Sequence, residues 1–83
     1  MKKRTLLKKI LDGSKNVRFS DMVNLVEGFG FSLSRTEGSH HIFVHPDIPE
    51  QINLQEVKGE AKPYQIRQFM KLIEKHNLHL EKE

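Results

Sequence analysis

The spacing of apolar residues changes twice along this chain, and this change constrains the fold more than any other feature. Before residue 30, apolar side chains recur on one face of a predicted helix: Met22, Leu25, Val26 and Phe29. Over residues 31–36 and again over residues 52–55 the side chains alternate with a period of two, which is typical of strands. Helical spacing then returns in a second stripe: Ile66, Phe69, Met70 and Ile73. The order helix, strands, helix predicts an α+β fold with helices packed on a sheet.

Local signals predict where the helices begin and end. Ser20 suits the N-cap of the first core helix, and Gly30 suits its end. Pro63 suits the first position of the last helix, because its missing N–H and fixed φ cost nothing there. A short extra helix is predicted over residues 6–11, followed by a polar linker at residues 13–16. A helix this short is stable only when it packs on another element.

Three strands are predicted between the two core helices. The first covers residues 31–36, and its alternation predicts one buried face. The second covers residues 40–45, and the third covers residues 52–57. Turn-forming residues at 37–39 join the first two strands in a hairpin, and those at 58–60 end the third. The predicted sheet is therefore small, three-stranded and antiparallel.

Composition limits both the chemistry and the partners. A chain of 83 residues has room for one core, so we expect a single domain over residues 1–83. The chain contains no cysteine, which excludes disulfides and thiolate chemistry and is typical of a reducing compartment. No stretch resembles a signal peptide or a membrane span, so we expect a cytoplasmic protein. The formal charge of +3 is a mild excess that favours polyanionic partners if the positive charges cluster, and the alternative is a solvated surface.

Three histidines lie within six positions on the predicted second strand, namely His40, His41 and His45. Side chains alternate across a strand, so His41 and His45 share one face and His40 lies on the other. The three imidazoles therefore do not converge, and we expect no metal site and no cofactor. For His41 and His45 we expect ordinary half-exposed strand positions. His40 differs because it directly follows Gly38 and Ser39, where a turn can present a side chain to a ligand.

A histidine at this turn suits proton transfer. The pKa of an unperturbed imidazole is about 6.5, so it takes up and releases protons near neutral pH, as cleavage of RNA by its own 2′-hydroxyl requires. The Gly-Ser-His tripeptide alone leaves two other functions open. One is an RNA-binding module that cleaves nothing, and the other is a protein-interaction domain whose basic surface only aids solubility.

Three segments of the chain resemble the HicA family of toxins: residues 28–31, residues 38–46 and residues 62–69. The resemblance covers about residues 17–78 and leaves residues 1–14 as an N-terminal helical appendage. Many relatives carry a Pro-x-His-like stretch in the third strand, where this chain has Ile-Asn-Leu-Gln-Glu-Val.

The resemblance implies a fold, an activity and a partner. The fold is like that of a double-stranded-RNA-binding domain, and the activity is cleavage of mRNA without a metal cofactor. The catalytic histidine of the family's Gly-Ser-His motif corresponds to His40, with Gly38 and Ser39 supporting it. The implied partner protein is an antitoxin, HicB, that binds the toxin and blocks it. The second acid or base that would work with His40 is not indicated.

Five basic residues are candidates for binding the RNA backbone: Lys58, Lys62, Arg67, Lys71 and Lys75. The first two flank the segment before the last helix, whose N-terminal N–H groups can bind an anion. The other three recur every four residues and line one flank of that helix. For each of the five, the alternative is a solvated surface charge.

Overall fold

The structure is a computed structural model that describes residues 3–13 and 17–81. Within these residues the element order is α1 (Lys3–Leu11), α2 (Phe19–Gly28), β1 (Ser32–Glu37), β2 (His40–Val44), β3 (Ile52–Val57), β4 (Glu60–Ala61) and α3 (Pro63–His76). The strands form one antiparallel sheet in the order β1-β2-β3-β4. The predicted α+β class is confirmed, and the arrangement is compatible with a double-stranded-RNA-binding-domain-like fold.

The helices and one face of the sheet enclose a single apolar cluster. The apolar stripes of α2 and α3 pack there against three side chains of the central strands, Phe43, Ile52 and Leu54. Two ring pairs at the centre pack edge to face, as aromatic side chains prefer: Phe29 with Phe69, and Phe31 with Phe69. The helices therefore cover one face of the sheet, and alternate residues lie on the opposite face. Ile42 lies on that opposite face and is also buried, outside the core cluster.

The start of α2 differs from the prediction that Ser20 is its N-cap. The helix begins at Phe19, and Arg18 occupies the N-cap position without a side-chain hydrogen bond. The reason is tertiary: Phe19 is buried, and its N–H donates to the carbonyl of Gly59 at 2.9 Å. Packing against the β3–β4 turn thus fixes this helix end, and Ser20 lies exposed in the first turn.

The extra N-terminal helix is present as α1. Its residues Leu6 and Ile10 are buried in the core cluster, and the helix packs on α2. This burial supplies the packing that a nine-residue helix needs. Of the predicted linker at residues 13–16, only Gly13 is among the described residues.

The last helix agrees with its prediction. It begins at Pro63, buries Ile66 and Phe69 in the core, and ends where Asn77 adopts the left-handed conformation with φ +52°. No helix in the described ranges is long and apolar enough to cross a bilayer.

The sheet differs from the prediction in two ways. The one-sided burial expected for β1 is wrong, because this edge strand is exposed at all six positions and only the preceding Phe31 is buried. The sheet also gains the two-residue strand β4, since Lys58 and Gly59 both have positive φ and turn the chain tightly back along β3. This fourth strand leads directly into α3.

Candidate active site

The Gly-Ser-His segment forms a two-residue hairpin turn between β1 and β2. Glu37 and His40 are paired at the ends of the strands, so Gly38 and Ser39 make the turn. Gly38 has φ +61° and Ser39 has no positive φ, as in type II′ turns, which favour glycine at the first central position. The Ser39 carbonyl also accepts the N–H of Glu56 at 3.2 Å, so the turn is tied to β3.

His40 lies on the sheet face that points away from the core. Its partners across the sheet are Glu37 on β1 and Gln55 on β3. The next residue, His41, is paired with the fully buried Leu54, so alternation places the His40 side chain on the opposite face. His40 is half-exposed there, and a large ligand can reach it.

Asn53 determines how the His40 ring is presented. The Nδ1 atom of His40 lies 3.1 Å from Oδ1 of Asn53, a neighbour on the same face of β3. An amide oxygen can only accept a hydrogen bond, so this contact places a proton on Nδ1. In the neutral ring Nε2 is then the unprotonated nitrogen, which can accept a proton from a ligand.

Two glutamine side chains connect the turn to α3. Nε2 of Gln55 donates to Oγ of Ser39 at 3.3 Å, and the Gln55 backbone N–H donates to Oε1 of Gln65 at 2.7 Å. The Gln65 side chain is buried at the start of α3, so its hydrogen bond is shielded from water. These contacts hold the backbone of β3 in place next to His40 and Asn53.

The other two clustered histidines belong to the core side. His41 is half-buried as expected, and its ring lies 4.8 Å from that of Phe19. His45 is only 6% exposed and follows β2, so the prediction of a half-exposed strand residue is wrong for it. Its ring packs on Phe31 at 4.9 Å, and its Nδ1 accepts the N–H of Asp47 at 3.0 Å. These contacts indicate that the buried imidazole of His45 has a structural role.

The three histidines do not converge on a common point. His40 and His41 lie on opposite faces, and His45 lies beyond the other end of β2. Across residues 3–13 and 17–81, no three His, Asp or Glu side chains form a group that could hold a metal ion. Metal independence itself stays a prediction.

Two of the five predicted cations, Lys58 and Lys62, lie in the part of the chain between β3 and α3. β1 and β3 are both antiparallel to β2, so the turn containing Lys58 is at the same end of the sheet as the turn containing Gly38. Lys58 is exposed there. Lys62 is half-buried just before α3, with its Nζ 5.9 Å from the centre of the Tyr64 ring.

The other three predicted cations, Arg67, Lys71 and Lys75, are exposed on α3, in the layer behind the sheet as seen from His40. Nζ of Lys75 lies 2.7 Å from Oε2 of Glu50, in the β2–β3 connection at the far end of the sheet. The structure therefore does not bring these three residues next to His40.

Glu50 has an unusually acidic carboxyl group. Its carboxylate accepts a hydrogen bond from Lys75, which has the larger effect, and another from His76, whose Nε2 lies 2.9 Å from Oε1 of Glu50. These contacts lower the pKa of Glu50 from 4.5 to about 2. The group joins the end of α3 to the β2–β3 connection, away from the Gly-Ser-His turn.

Asn53 and Gln55 were not predicted as site residues from the sequence. The available signal was their position in the third strand, where two polar residues alternate with Ile52 and Leu54. Which face they share with His40 depends on the register between β2 and β3, and the sequence pattern does not specify that register.

Comparison with known proteins agrees with this architecture. A family model described as HicA toxin of bacterial toxin-antitoxin matches residues 19–74. The matched range contains the Gly-Ser-His turn, the whole sheet and most of α3, and it leaves α1 outside. Searches of the curated proteins and of the solved structures gave no match.

Proposed function

The chain belongs to the HicA family of toxins of bacterial toxin–antitoxin systems. From this we propose that it is an endoribonuclease that uses His40 as its catalytic base to cleave mRNA. Toxins of this family generally are ribonucleases. The observation that carries the proposal for this chain is the hydrogen bond from Nδ1 of His40 to Oδ1 of Asn53. It leaves Nε2 of a half-exposed imidazole as a base on the accessible face of the sheet.

The proposed reaction is attack of a ribose 2′-oxygen on the adjacent phosphorus. Nε2 of His40 accepts the proton of the 2′-hydroxyl as the new P–O2′ bond forms and the P–O5′ bond breaks. The products are a 2′,3′-cyclic phosphate and a 5′-hydroxyl, whose oxygen takes its proton from water. General base catalysis of this kind typically contributes about 10²–10⁴-fold, and the bond changes require no metal ion.

Lys58 and Lys62 are proposed to bind the RNA backbone. Lys58 is exposed at the same end of the sheet as His40, and Lys62 precedes α3 by one residue. Arg67 and Lys71 are proposed to contact only RNA that continues onto the helix layer. Lys75 is the weakest candidate of the five, because its ammonium group is already paired with Glu50.

We propose that the antitoxin of the pair is a HicB-like protein and that the toxin acts on mRNA in the cytoplasm. Family membership supports an antitoxin partner. Co-expression with the protein encoded by the adjacent reading frame should give a stable complex without ribonuclease activity. Purification of the toxin alone from such cells would contradict this partner.

Replacement of His40 tests the catalytic role. We expect His40→Ala to keep its circular dichroism spectrum and to lose cleavage of purified mRNA by about 10²–10⁴-fold. The matched control is His41→Ala, a change in the adjacent histidine on the opposite face, which should retain most activity. Equal loss in both variants, or unfolding of His40→Ala, would show that His40 is a structural residue.

The same assay separates cleavage from binding alone. If the chain is a non-catalytic RNA-binding module, wild type and His40→Ala should bind RNA with equal affinity, and neither protein should cut it. For the proposed enzyme, excess EDTA should leave the rate unchanged, and a 2′-deoxy sugar at the cleavage site should block the reaction. Activity that disappears with EDTA and returns with one divalent ion would rule out the metal-free reaction.

A further inference from the structure

The pairing of β1 with β2 contains an irregularity just before the Gly-Ser-His turn. Leu33 is paired with Phe43 and Arg35 with Ile42, so two steps along β1 correspond to one step along β2. Ser34 is therefore the extra residue of a β-bulge. In a regular strand Arg35 would share the core-facing side with Leu33, since residues two apart lie on one face. The extra residue moves Arg35 to the opposite face.

On that face Arg35 becomes a cross-strand neighbour of His40. Glu37 lies directly opposite His40, and Arg35 lies two residues before Glu37. Such diagonal positions in an antiparallel pair are about 7–8 Å apart, within reach of a long side chain. A phosphodiester whose 2′-hydroxyl meets Nε2 of His40 can therefore also meet the guanidinium of Arg35.

The Arg35 side chain is held in place and still has donors available for a ligand. Its Nε donates to Oε1 of Glu37 at 3.1 Å, and both side chains are more than half exposed, at 51% and 65%. Nε is only one of five N–H donors of a guanidinium, and the terminal nitrogens form a fork that matches two oxygens of a phosphate. The contact with Glu37 therefore orients the group without using its full hydrogen-bonding capacity.

The other cations considered for RNA binding are less suited to this position. Lys58 lies at the next turn along the sheet edge, and Arg67 and Lys71 lie in the helix layer. Arg35 is on the same face as the proposed base and in the adjacent strand. Arg35 lies on this face because of the bulge at Ser34, so the bulge places the charge of Arg35 next to His40.

We propose that Arg35 binds the phosphate that is cleaved and stabilises the negative charge that develops on its non-bridging oxygens. This inference rests on the proposed ribonuclease function. Cleavage needs such a group because His40 moves a proton and does not neutralise the phosphate.

The test compares two exposed basic residues in different layers of the molecule, Arg35 in β1 and Lys9 in α1. Arg35→Gln should lower kcat for cleavage of a short RNA by about 10²–10³-fold, the usual loss when one donor to a developing oxyanion is removed. Arg35→Lys should recover part of this loss, because it keeps the charge but not the fork. The control Lys9→Gln, in α1, should remain close to wild type. All variants should keep the wild-type melting temperature, since both side chains are exposed.

A phosphorothioate substrate distinguishes phosphate contact from an indirect structural role. Sulfur in place of one non-bridging oxygen should slow wild type, and it should slow Arg35→Gln much less, because the contact is already absent. Equal sulfur effects in wild type and Arg35→Gln, or equal rates for Arg35→Gln and Lys9→Gln, would overturn the proposal.

Binding to an uncleavable 2′-deoxy oligonucleotide keeps this inference separate from the proposed function. If wild type cleaves no RNA, the proposed function fails, but the phosphate contact can still be measured. Loss of one contact should flatten the plot of log affinity against log salt by about 0.7 in Arg35→Gln. A slope equal to that of wild type would exclude the contact, whether or not the protein is a ribonuclease.

Discussion

The two faces of β2 and β3 carry different kinds of residues, although they alternate along the same strands. On the core face Phe43, Ile52 and Leu54 are almost completely buried against the helices. On the opposite face His40 and Asn53 are hydrogen-bonded to each other and accessible. The comparison indicates that stability depends mainly on one face and the proposed chemistry on the other. Neighbouring residues should therefore respond to mutation in different ways.

The separation of the faces depends on strand register. A shift of one residue would exchange the buried and exposed sets, because the side-chain period of a strand is two. The buried Gln65 side chain bonds to the Gln55 backbone, and the Ser39 carbonyl bonds to the Glu56 backbone. These bonds join β3 to α3 and to the Gly-Ser-His turn. They fix the same register that places Asn53 next to His40.

The largest effect is expected from a pair of neighbours on β3. Leu54→Ala removes a fully buried side chain, and it should lower the free energy of unfolding by about 2–5 kcal/mol. Asn53→Ala changes an exposed residue and should stay within about 0.5 kcal/mol of wild type. Urea denaturation of both variants measures the difference. Similar losses of stability in the two proteins would contradict the separation of the faces.

The second prediction concerns cleavage, for which Asn53 should matter although it contributes little to stability. Asn53→Ala should reduce kcat about tenfold, or about 1.4 kcal/mol of transition-state stabilisation, because the Nδ1-protonated ring of His40 is no longer held in position. Asn53→Asp keeps an acceptor and adds a negative charge, which raises the pKa of a neighbouring histidine. The pH at which the base loses its proton should therefore move upward in Asn53→Asp. A pH–rate profile identical to that of wild type would show that Asn53 does not act through His40.

The helical stripes and the hairpin could be predicted because local signals determine them. Pro63 begins α3 as expected, and Gly38 allows the tight turn. The bulge at Ser34 could not be predicted, since the alternation of Phe31, Leu33 and Arg35 is that of a regular strand. An extra residue is recognisable only from its pairing with a second strand.

Tertiary contacts explain the other differences between sequence and structure. The start of α2 depends on a carbonyl of the distant residue Gly59. Burial of His45 depends on Phe31 and on the chain after β2, and histidine is about equally compatible with buried and exposed positions. The candidate base could be named from its position at a turn, but its partner Asn53 required the register of β2 and β3.

A smaller effect is expected on the helix side, where charge should matter for stability and not for cleavage. The pKa of Glu50 is lowered to about 2, so its carboxylate stabilises the fold at pH values above its ordinary pKa of 4.5. This contribution should be lost as the pH falls from 4.5 towards 2. Glu50→Gln should therefore have a lower urea midpoint than wild type near neutral pH, and the difference should shrink in that acid range.

Cleavage provides the control for Glu50→Gln. Its rate should equal that of wild type, because the contacts with Lys75 and His76 lie at the end of the sheet opposite the Gly-Ser-His turn. A difference in urea midpoint that stays constant down to pH 2 would contradict the assigned cause. A large loss of cleavage would link this end of the molecule to the site.

The smallest effect is expected from the basic flank of α3, which lies behind the sheet as seen from His40. Lys71 is exposed on this flank, whereas Lys75 is paired with Glu50. A short RNA bound on the outer face of the sheet does not extend to α3, but a long RNA can continue around the molecule. Lys71→Gln should thus leave the salt dependence of short-RNA binding unchanged. For long RNA it should flatten the slope of log affinity against log salt by about 0.7, the value for one contact to a single strand.

These slopes are measured in the His40→Ala background, so that the RNA stays intact during titration. Lys75→Gln is the matched control, and it should change neither slope because its charge is already neutralised by Glu50. Lys58→Gln should flatten the slope for short RNA as well, since Lys58 lies at the same end of the sheet as His40. A flatter short-RNA slope in Lys71→Gln would show that one small ligand reaches both layers, and the two faces would then act as one binding surface. An unchanged slope with long RNA would confine RNA binding to the outer face and leave α3 with a purely structural role.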